Sequence, residues 1–417
     1  MSEQAAKGGT PMTVHDHPKA IGGAILDPLM KVLLALFGIS AVVMLYRFFA
    51  GIGPVSNMTD GYAWGIWEPI NVVVFTGIGA GAYSVGLLCY LLNQGRYHAF
   101  VRPAVLLGAI AYSLGGSSII IALGRYWNAY LLGAVPFWNL NSVLLEVAVC
   151  VIAYVCVLWV EVLPAVMDGA ARSSSPGLAA FGRRWGPRLA SAMPYVIALA
   201  IVLPTMHQSS LGGLMLIAGP KLHPLWHTAL LPLLALVSCL SMGYGAVVVL
   251  TTVLKYTWKA KHDQRLFADM SKVNGGLLFL FAALRVGDLA VHGKLKFLAV
   301  PDFHLFFFLL EMALFLVPAF LFFSAGVQRN RGKLFGAALM TVAAGALWRV
   351  DTYLTAFNGG QGWDYWPSLG EVTVTVGMAA LGMAVFILVS RLFPVVVVED
   401  AQQSTVGAGH IRAAASR

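Results

Sequence analysis

Residues 141–166, NSVLLEVAVCVIAYVCVLWVEVLPAV, decide the fold. Only Glu146 and Glu161 are charged in this stretch. At about 1.5 Å of rise per residue, a helix of that length more than crosses the ~30 Å hydrocarbon core of a bilayer. The apolarity is continuous, whereas strands of a membrane barrel alternate in segments of about ten residues. The stretch therefore reads as a membrane-spanning helix. Nine others of the same kind follow along the chain, at 28–50, 65–92, 103–124, 189–217, 225–254, 273–292, 303–326, 333–357 and 369–394. The expected fold class is all-α integral membrane, with about ten transmembrane helices.

Composition agrees. Of 417 residues 59% are hydrophobic and 11% charged, against roughly 25% charged in soluble domains. The net charge of +9 does not point to nucleic acid, because lysine and arginine sit in short loops rather than in a basic stripe with interleaved aromatics. Loop charge orients the chain instead. Nineteen of the 27 Lys and Arg residues lie on the side of the termini, and five (Arg47, Arg125, Lys221, Lys294, Lys296) lie opposite. The positive-inside rule then puts both termini in the cytoplasm. The domain reading is a cytoplasmic segment 1–27, one polytopic domain 28–394 and a disordered cytoplasmic tail 395–417. No short apolar region with a small-residue cleavage site precedes Pro28, so the first span is expected to stay in the mature protein.

Cys89, Cys150, Cys156 and Cys239 all lie in apolar segments without a CxxC pair, which gives no support to a cluster or a structural zinc site. Seven of eleven tryptophans (Trp64, Trp67, Trp127, Trp138, Trp226, Trp363, Trp366) gather on the outer side. They fit either an aromatic belt or a face on which a partner docks.

Ionisable side chains inside a membrane are costly, and each raises a functional question. Glu68, Arg125, Glu146, His207, Arg285, Asp288, Glu311, Arg349 and Asp351 all fall in the outer half, while Glu161 lies toward the cytoplasm. The carboxylates outnumber the guanidiniums, which suits groups that exchange protons. Arg285 with Asp288 and Arg349 with Asp351 could equally be structural pairs. Glu146 has no basic neighbour in its own helix. A faint parallel repeat relates Arg125 and LNSVLLE to Arg285 and LFFFLLE, four spans later. Only His207 lies well inside a span, so the facing histidines that hold a haem are not expected.

At GRYWN (124–128), NSVLLE (141–146), LPTMHQSSLGGLMLIAG (203–219), KLHPLW (221–226) and WRVDTYLTAFNGG (348–360), the chain resembles one family. It is similar to the HybB-type membrane subunits of periplasmic nickel–iron hydrogenases, within the NrfD/PsrC (polysulfide reductase membrane subunit) superfamily, over about 27–394. The resemblance implies two four-helix bundles, about 65–217 and 225–357, with a flanking helix at each end. It implies no haem or metal in this chain, and electrons passing from a ferredoxin-like iron–sulfur subunit and the hydrogenase large and small subunits to a menaquinone-type quinone. Such a subunit is an enzyme only as the quinone-reducing part of its complex, in a bacterial cytoplasmic (inner) membrane. The acid of NSVLLE carries over as a proton donor, Glu146. GIWEPIN (65–71) departs from the usual pattern and leaves the role of Glu68 open.

The expected quinone site comprises Trp64, Arg125, Tyr126, Asn141, Glu146 and His207, with His207 and Tyr126 on the quinone oxygens and Arg125 beside them. The expected proton path comprises Glu146, Glu161, Arg285, Asp288, Glu311, Arg349 and Asp351. Protons drawn from the cytoplasm would conserve energy, and protons drawn from outside would not. A secondary transporter, or the anchor of a different periplasmic oxidoreductase, fits the ten spans and internal charges as well.

Overall fold

A computed structural model describes residues 18–398. Ten helices in it are long and apolar enough to cross a membrane: α1 Pro28–Ala50, α2 Glu68–Leu91, α3 Gly95–Ala122, α4 Val143–Ala171, α5 Pro176–Lys221, α6 Leu231–Trp258, α7 Gln264–Val291, α8 Phe303–Phe323, α9 Arg331–Thr355 and α10 Leu369–Leu392. The protein is an all-α integral membrane protein, as its apolar segments predict. Their starts are set by side chains that accept from otherwise orphaned backbone N–H groups. Asp27 caps α1, Ser142 α4, Asp263 α7, Asp302 α8 and Asn330 α9. Ser368 and Glu371 form a reciprocal capping box at α10.

The largest departure from the predicted spans is α5. It begins at Pro176 rather than 189 and runs for 46 residues. Its first turns carry Arg183, Arg184 and Arg188, so the helix continues through a basic, water-facing stretch where apolarity had marked its end.

Helices α6 to α9 close a ring in which each packs on the next and α9 returns to α6. Helices α2 to α5 pack in chain order beside it, and α1 pairs with α10 at the periphery. The two groups meet where α2 lies against α6 and α9, and α5 against α6. The apolar windows of α2 and α6 are 78% and 72% buried, against 11% for α5, so α2 and α6 form the centre. Close approach there depends on Gly243 of α6. A Cβ at that position would fall 2.6 Å from the Ala80 carbonyl oxygen of α2. Small residues at such crossings let helix backbones pack where lipid offers no hydrophobic drive.

Both described ends meet on one side. Lys19 pairs with Val396 and Ala260 with Val398 in antiparallel bridges, and Arg391 bonds to Asp27. The sequence places 395–417 in a disordered tail, but Val395, Val396 and Val397 are buried. An apolar β-branched run finds backbone partners there that a solvated tail lacks. The remainder, 399–417, and the leading residues 1–17 lie outside the described residues, and with them most of both terminal segments.

On this terminal side His262 is 1% exposed. Its Nε2 is 3.2 Å from Gln264 Oε1, and its ring lies over Phe267. Burial is the main cause that lowers it from 6.5 to about 4. The unfolded chain takes up a proton near pH 6.5 that the folded chain refuses until about pH 4. Stability is therefore lost as pH falls through that window. The melting temperature of wild type is expected to drop more between pH 7 and pH 5 than that of His262→Gln. Parallel pH profiles would remove His262 from the account.

Candidate functional site

Several of the ionisable side chains singled out in the sequence gather with polar partners in three places, two buried and one at the bundle surface. One centres on Arg349 of α9, which is 1% exposed. Its guanidinium donates to Ser238 Oγ at 3.0 Å, Gln208 Oε1 at 3.1 Å and the Gly345 carbonyl at 3.2 Å. Gln208 Nε2 passes the network on to Tyr112 Oη at 3.0 Å and Thr76 Oγ1 at 3.3 Å. One arginine thereby links five helices without a carboxylate in contact. Asp351, read in the sequence as a possible partner, makes no ion pair with it. Instead Asp351 accepts from Thr355 Oγ1 at 2.8 Å, within a π-helical end of α9. A cavity of about 10 Å³, lined in part by Gln208, Arg349, Thr352 and Tyr353, adjoins the network. That is space for roughly one water.

The second group joins α7 and α8. Arg285 Nη2 lies 3.3 Å from Glu311 Oε1, with side chains 2% and 0% exposed. Arg285 Nη1 donates to the Leu225 carbonyl at 2.7 Å, and Trp226 Nε1 donates to Glu311 Oε2 at 2.9 Å. The possible Arg285–Asp288 pair is absent among the described residues. Asp288 pairs with His292, one turn further along α7, at 3.2 Å. The faint repeat matches Arg125 and Glu146 with Arg285 and Glu311, but only the latter two are joined.

The third group lies where α4 meets α5. Ser210 Oγ is 2.6 Å from Glu146 Oε1 and 2.8 Å from the Met206 carbonyl. One hydroxyl proton faces two acceptors. With Glu146 ionised the hydroxyl donates to it. With Glu146 protonated the carboxyl donates to Oγ, and the hydroxyl turns to Met206. Both protonation states are hydrogen-bonded without movement of a helix. Glu146 is exposed at the surface of the bundle. His207, one turn before Ser210, is 0% exposed, and neither ring nitrogen has a partner. Its ring meets Tyr112 at 5.4 Å between centroids.

The six residues expected around a quinone do not share one contact network. Glu146 lies on the α4–α5 seam with Ser210, while His207 of α5 is buried against Tyr112 of α3. Trp64 donates from Nε1 to the Tyr353 carbonyl of α9 at 2.7 Å. Tyr126 Oη donates to the Phe48 carbonyl of α1 at 3.0 Å, so its hydroxyl is already engaged. Arg125 and Asn141 are exposed. Glu161 lines a small cavity with Tyr83 and Tyr154 in the terminal half. Of the outer tryptophans, Trp67 and Trp226 are 2% and 0% exposed and belong to no lipid-facing belt. Trp127 and Trp366, with Tyr130, Phe137 and Leu140, are exposed.

Sequence reasoning passed over Gln208 and Tyr112, which carry no charge. It passed over Arg47, counted as a loop residue, whose buried guanidinium donates from Nε to the Ile121 carbonyl at 2.5 Å and also reaches the Leu123 carbonyl. It also passed over Glu371, which accepts from Tyr365 Oη at 2.7 Å and from the Asn57 and Ser368 backbone. The signal for Glu371 was present as Ser-x-x-Glu ahead of an apolar run.

A family described as polysulphide reductase, NrfD matches residues 54–357. The chain is 34% identical over 384 residues to the probable Ni/Fe-hydrogenase 2 b-type cytochrome subunit of Escherichia coli K12, covering 91% of this chain and 95% of that one. It is 29% identical over 371 residues to a Nitratidesulfovibrio vulgaris chain described only as a protein, covering 85% and 90%. Over 253 residues it is 26% identical to the integral membrane subunit of the menaquinone reductase of N. vulgaris, covering 58% of each.

The E. coli protein's name describes a b-type cytochrome, and that overturns the expectation of a haem-free chain. A haem held by two histidines needs a facing pair with room for the macrocycle between them. His223 and His304 stack at 4.2 Å with their planes 4° apart, which leaves no room for a macrocycle between them. The buried pair, His207 and His262, lie apart, in the body of α5 and in the α6–α7 loop. These residues do not supply the facing pair that bis-histidine ligation needs. The helical architecture, the matched residues and the E. coli relative agree on one assignment: the chain belongs to the polysulphide reductase NrfD family.

Proposed function

We propose that this chain is the quinone-reactive membrane subunit of a hydrogenase-type respiratory complex. It takes electrons from an iron–sulfur subunit docked on the side opposite the termini and delivers them to a menaquinone-type quinone. The termini then face the cytoplasm of a bacterial inner membrane, as the loop charges favour. Exposed Trp127, Tyr130, Phe137, Leu140 and Trp366 support a docking surface on the electron-donating side.

The observation that carries the reading is the Glu146–Ser210 pair on the α4–α5 seam. Reduction of a quinone consumes two electrons and two protons at a ring whose tail stays in lipid. Glu146 is exposed at that seam, and its two hydrogen-bonded states suit it to deliver protons. A ring against Glu146 and Ser210 lies about one helical turn from His207, whose free nitrogens suit a quinone oxygen. Arg125 and Asn141 stand at the rim, while Tyr126 and Trp64 hold neighbouring loops in place. Protons reach Glu146 along α5, past Gln208, Tyr112 and the Tyr83–Thr205 bond of 2.7 Å, from Glu161 on the cytoplasmic side. The Arg285–Glu311 pair and Asp351 belong to the second bundle, and Asp288 pairs with His292 instead.

The test is reconstitution of the chain with its co-purifying subunits in liposomes containing menaquinone. Hydrogen-dependent quinone reduction is expected. A chain that purifies without redox partners and moves solute on its own would sink the reading.

A further inference from the structure

A cluster of potential metal-ligating side chains lies on the side opposite the termini. His223, Asp302 and His304 each offer a ligand atom there, and these atoms all lie within 4.8 Å of one another. They come from two loops distant in sequence: His223 from the α5–α6 connection, Asp302 and His304 from the start of α8. We propose that these three residues bind one transition-metal dication of the Zn²⁺ or Cu²⁺ kind.

The donor set is the chemical reason. Two imidazoles and one carboxylate suit zinc and copper, while calcium and magnesium prefer all-oxygen cages. Bonds of about 2.0–2.2 Å to such an ion call for donor atoms somewhat closer than they now stand. His223 and His304 now stack face to face at 4.2 Å, so a shared ion requires the rings to turn until their in-plane lone pairs converge. All three side chains are half-buried or exposed, which permits that rotation.

The ligands are also held from behind, as ligands commonly are. Asp302 Oδ1 accepts the Leu305 N–H at 2.8 Å as the cap of α8, which leaves Oδ2 beside His304 Nδ1 at 3.4 Å. The His223 backbone N–H is tied to the Ala356 carbonyl at 2.8 Å. The His223 ring is flanked by Trp226 and Phe297. Three protein ligands leave a fourth position for water or for a group from a docked partner.

The consequence is mechanical. Residues 223–226 include the Leu225 carbonyl and the Trp226 indole that hold Arg285 and Glu311. A bound ion staples this segment to the head of α8 above the buried ion pair. The inference is independent of the quinone reading, since it needs neither electron transfer nor quinone.

Titration calorimetry of the untagged full-length protein with ZnCl₂ decides it, with the visible absorption of bound Co²⁺ as a second readout. Wild type is expected to take up one ion at this site. His304→Ala and His223→Ala are expected to weaken that event by roughly 100-fold, since a lost ligand costs at least as much as a lost supporting contact. Asp302→Asn still accepts the Leu305 N–H, so it preserves the helix cap while removing the charged ligand; it is expected to weaken binding likewise. Asp269→Asn, at the other side of the membrane, should leave the event unchanged. No uptake by wild type, or the same uptake in folded Asp302→Asn and His223→Ala/His304→Ala proteins, would overturn the proposal.

Discussion

Glu146→Gln is expected to lower quinone-coupled hydrogen oxidation by about 100-fold or more, the lower end of what a positioned acid–base group contributes. Hydrogen oxidation with a soluble dye, which draws electrons before the membrane subunit, should stay at the wild-type rate. The substitution is conservative in shape. A glutamine amide can donate to Ser210 Oγ while the hydroxyl donates to the Met206 carbonyl, so both contacts near 2.6 and 2.8 Å survive. What the amide cannot do is carry a proton onward. Loss of turnover with retained assembly therefore separates proton delivery from packing. If quinone reduction is unchanged in the variant, Glu146 has no part in the mechanism.

The α4 stretch that reads most plainly as a membrane helix also carries that residue. Hydropathy was enough to find ten spans, because a bilayer admits few alternatives to an apolar helix. It misjudged α5, since a helix does not end where apolarity ends: Arg183, Arg184 and Arg188 are good helix formers that water accepts. The partners of buried charges were much less legible. Arg349 and Asp351, two positions apart, stand about 200° apart around a helix and cannot face each other. Arg285 and Asp288 could, but Asp288 pairs with His292 while Arg285 crosses to Glu311 on another helix. Such choices depend on how neighbouring helices are rotated, which no single helix's sequence encodes. A search for charges also overlooks neutral side chains such as Gln208, through which Arg349 is connected to Tyr112 and Thr76. His207 and Gln208 are adjacent in one motif, yet only the packing of neighbouring helices makes one complete a network and leaves the other's ring nitrogens free.

Arg285→Leu is expected to cost about 3–5 kcal/mol of stability, because it leaves the Glu311 carboxylate buried with its counter-ion gone. Glu311 would keep Trp226 Nε1 as a donor, which a single neutral hydrogen bond makes insufficient for a full charge at 0% exposure. The decisive comparison is the double variant Arg285→Leu/Glu311→Leu. Replacing a buried pair by apolar residues of similar volume is often close to neutral, so most of the lost melting temperature should return. Recovery should stop short of wild type, since the Leu225 carbonyl and the Trp226 indole lose their partners, at about 1–3 kcal/mol for each buried group left unsatisfied. Thermal unfolding of the three variants in one detergent measures this directly. A double variant no more stable than Arg285→Leu would mean that the arginine acts through its Leu225 contact rather than through Glu311. If the double variant regains stability but not quinone turnover, the pair serves the reaction as well as the fold.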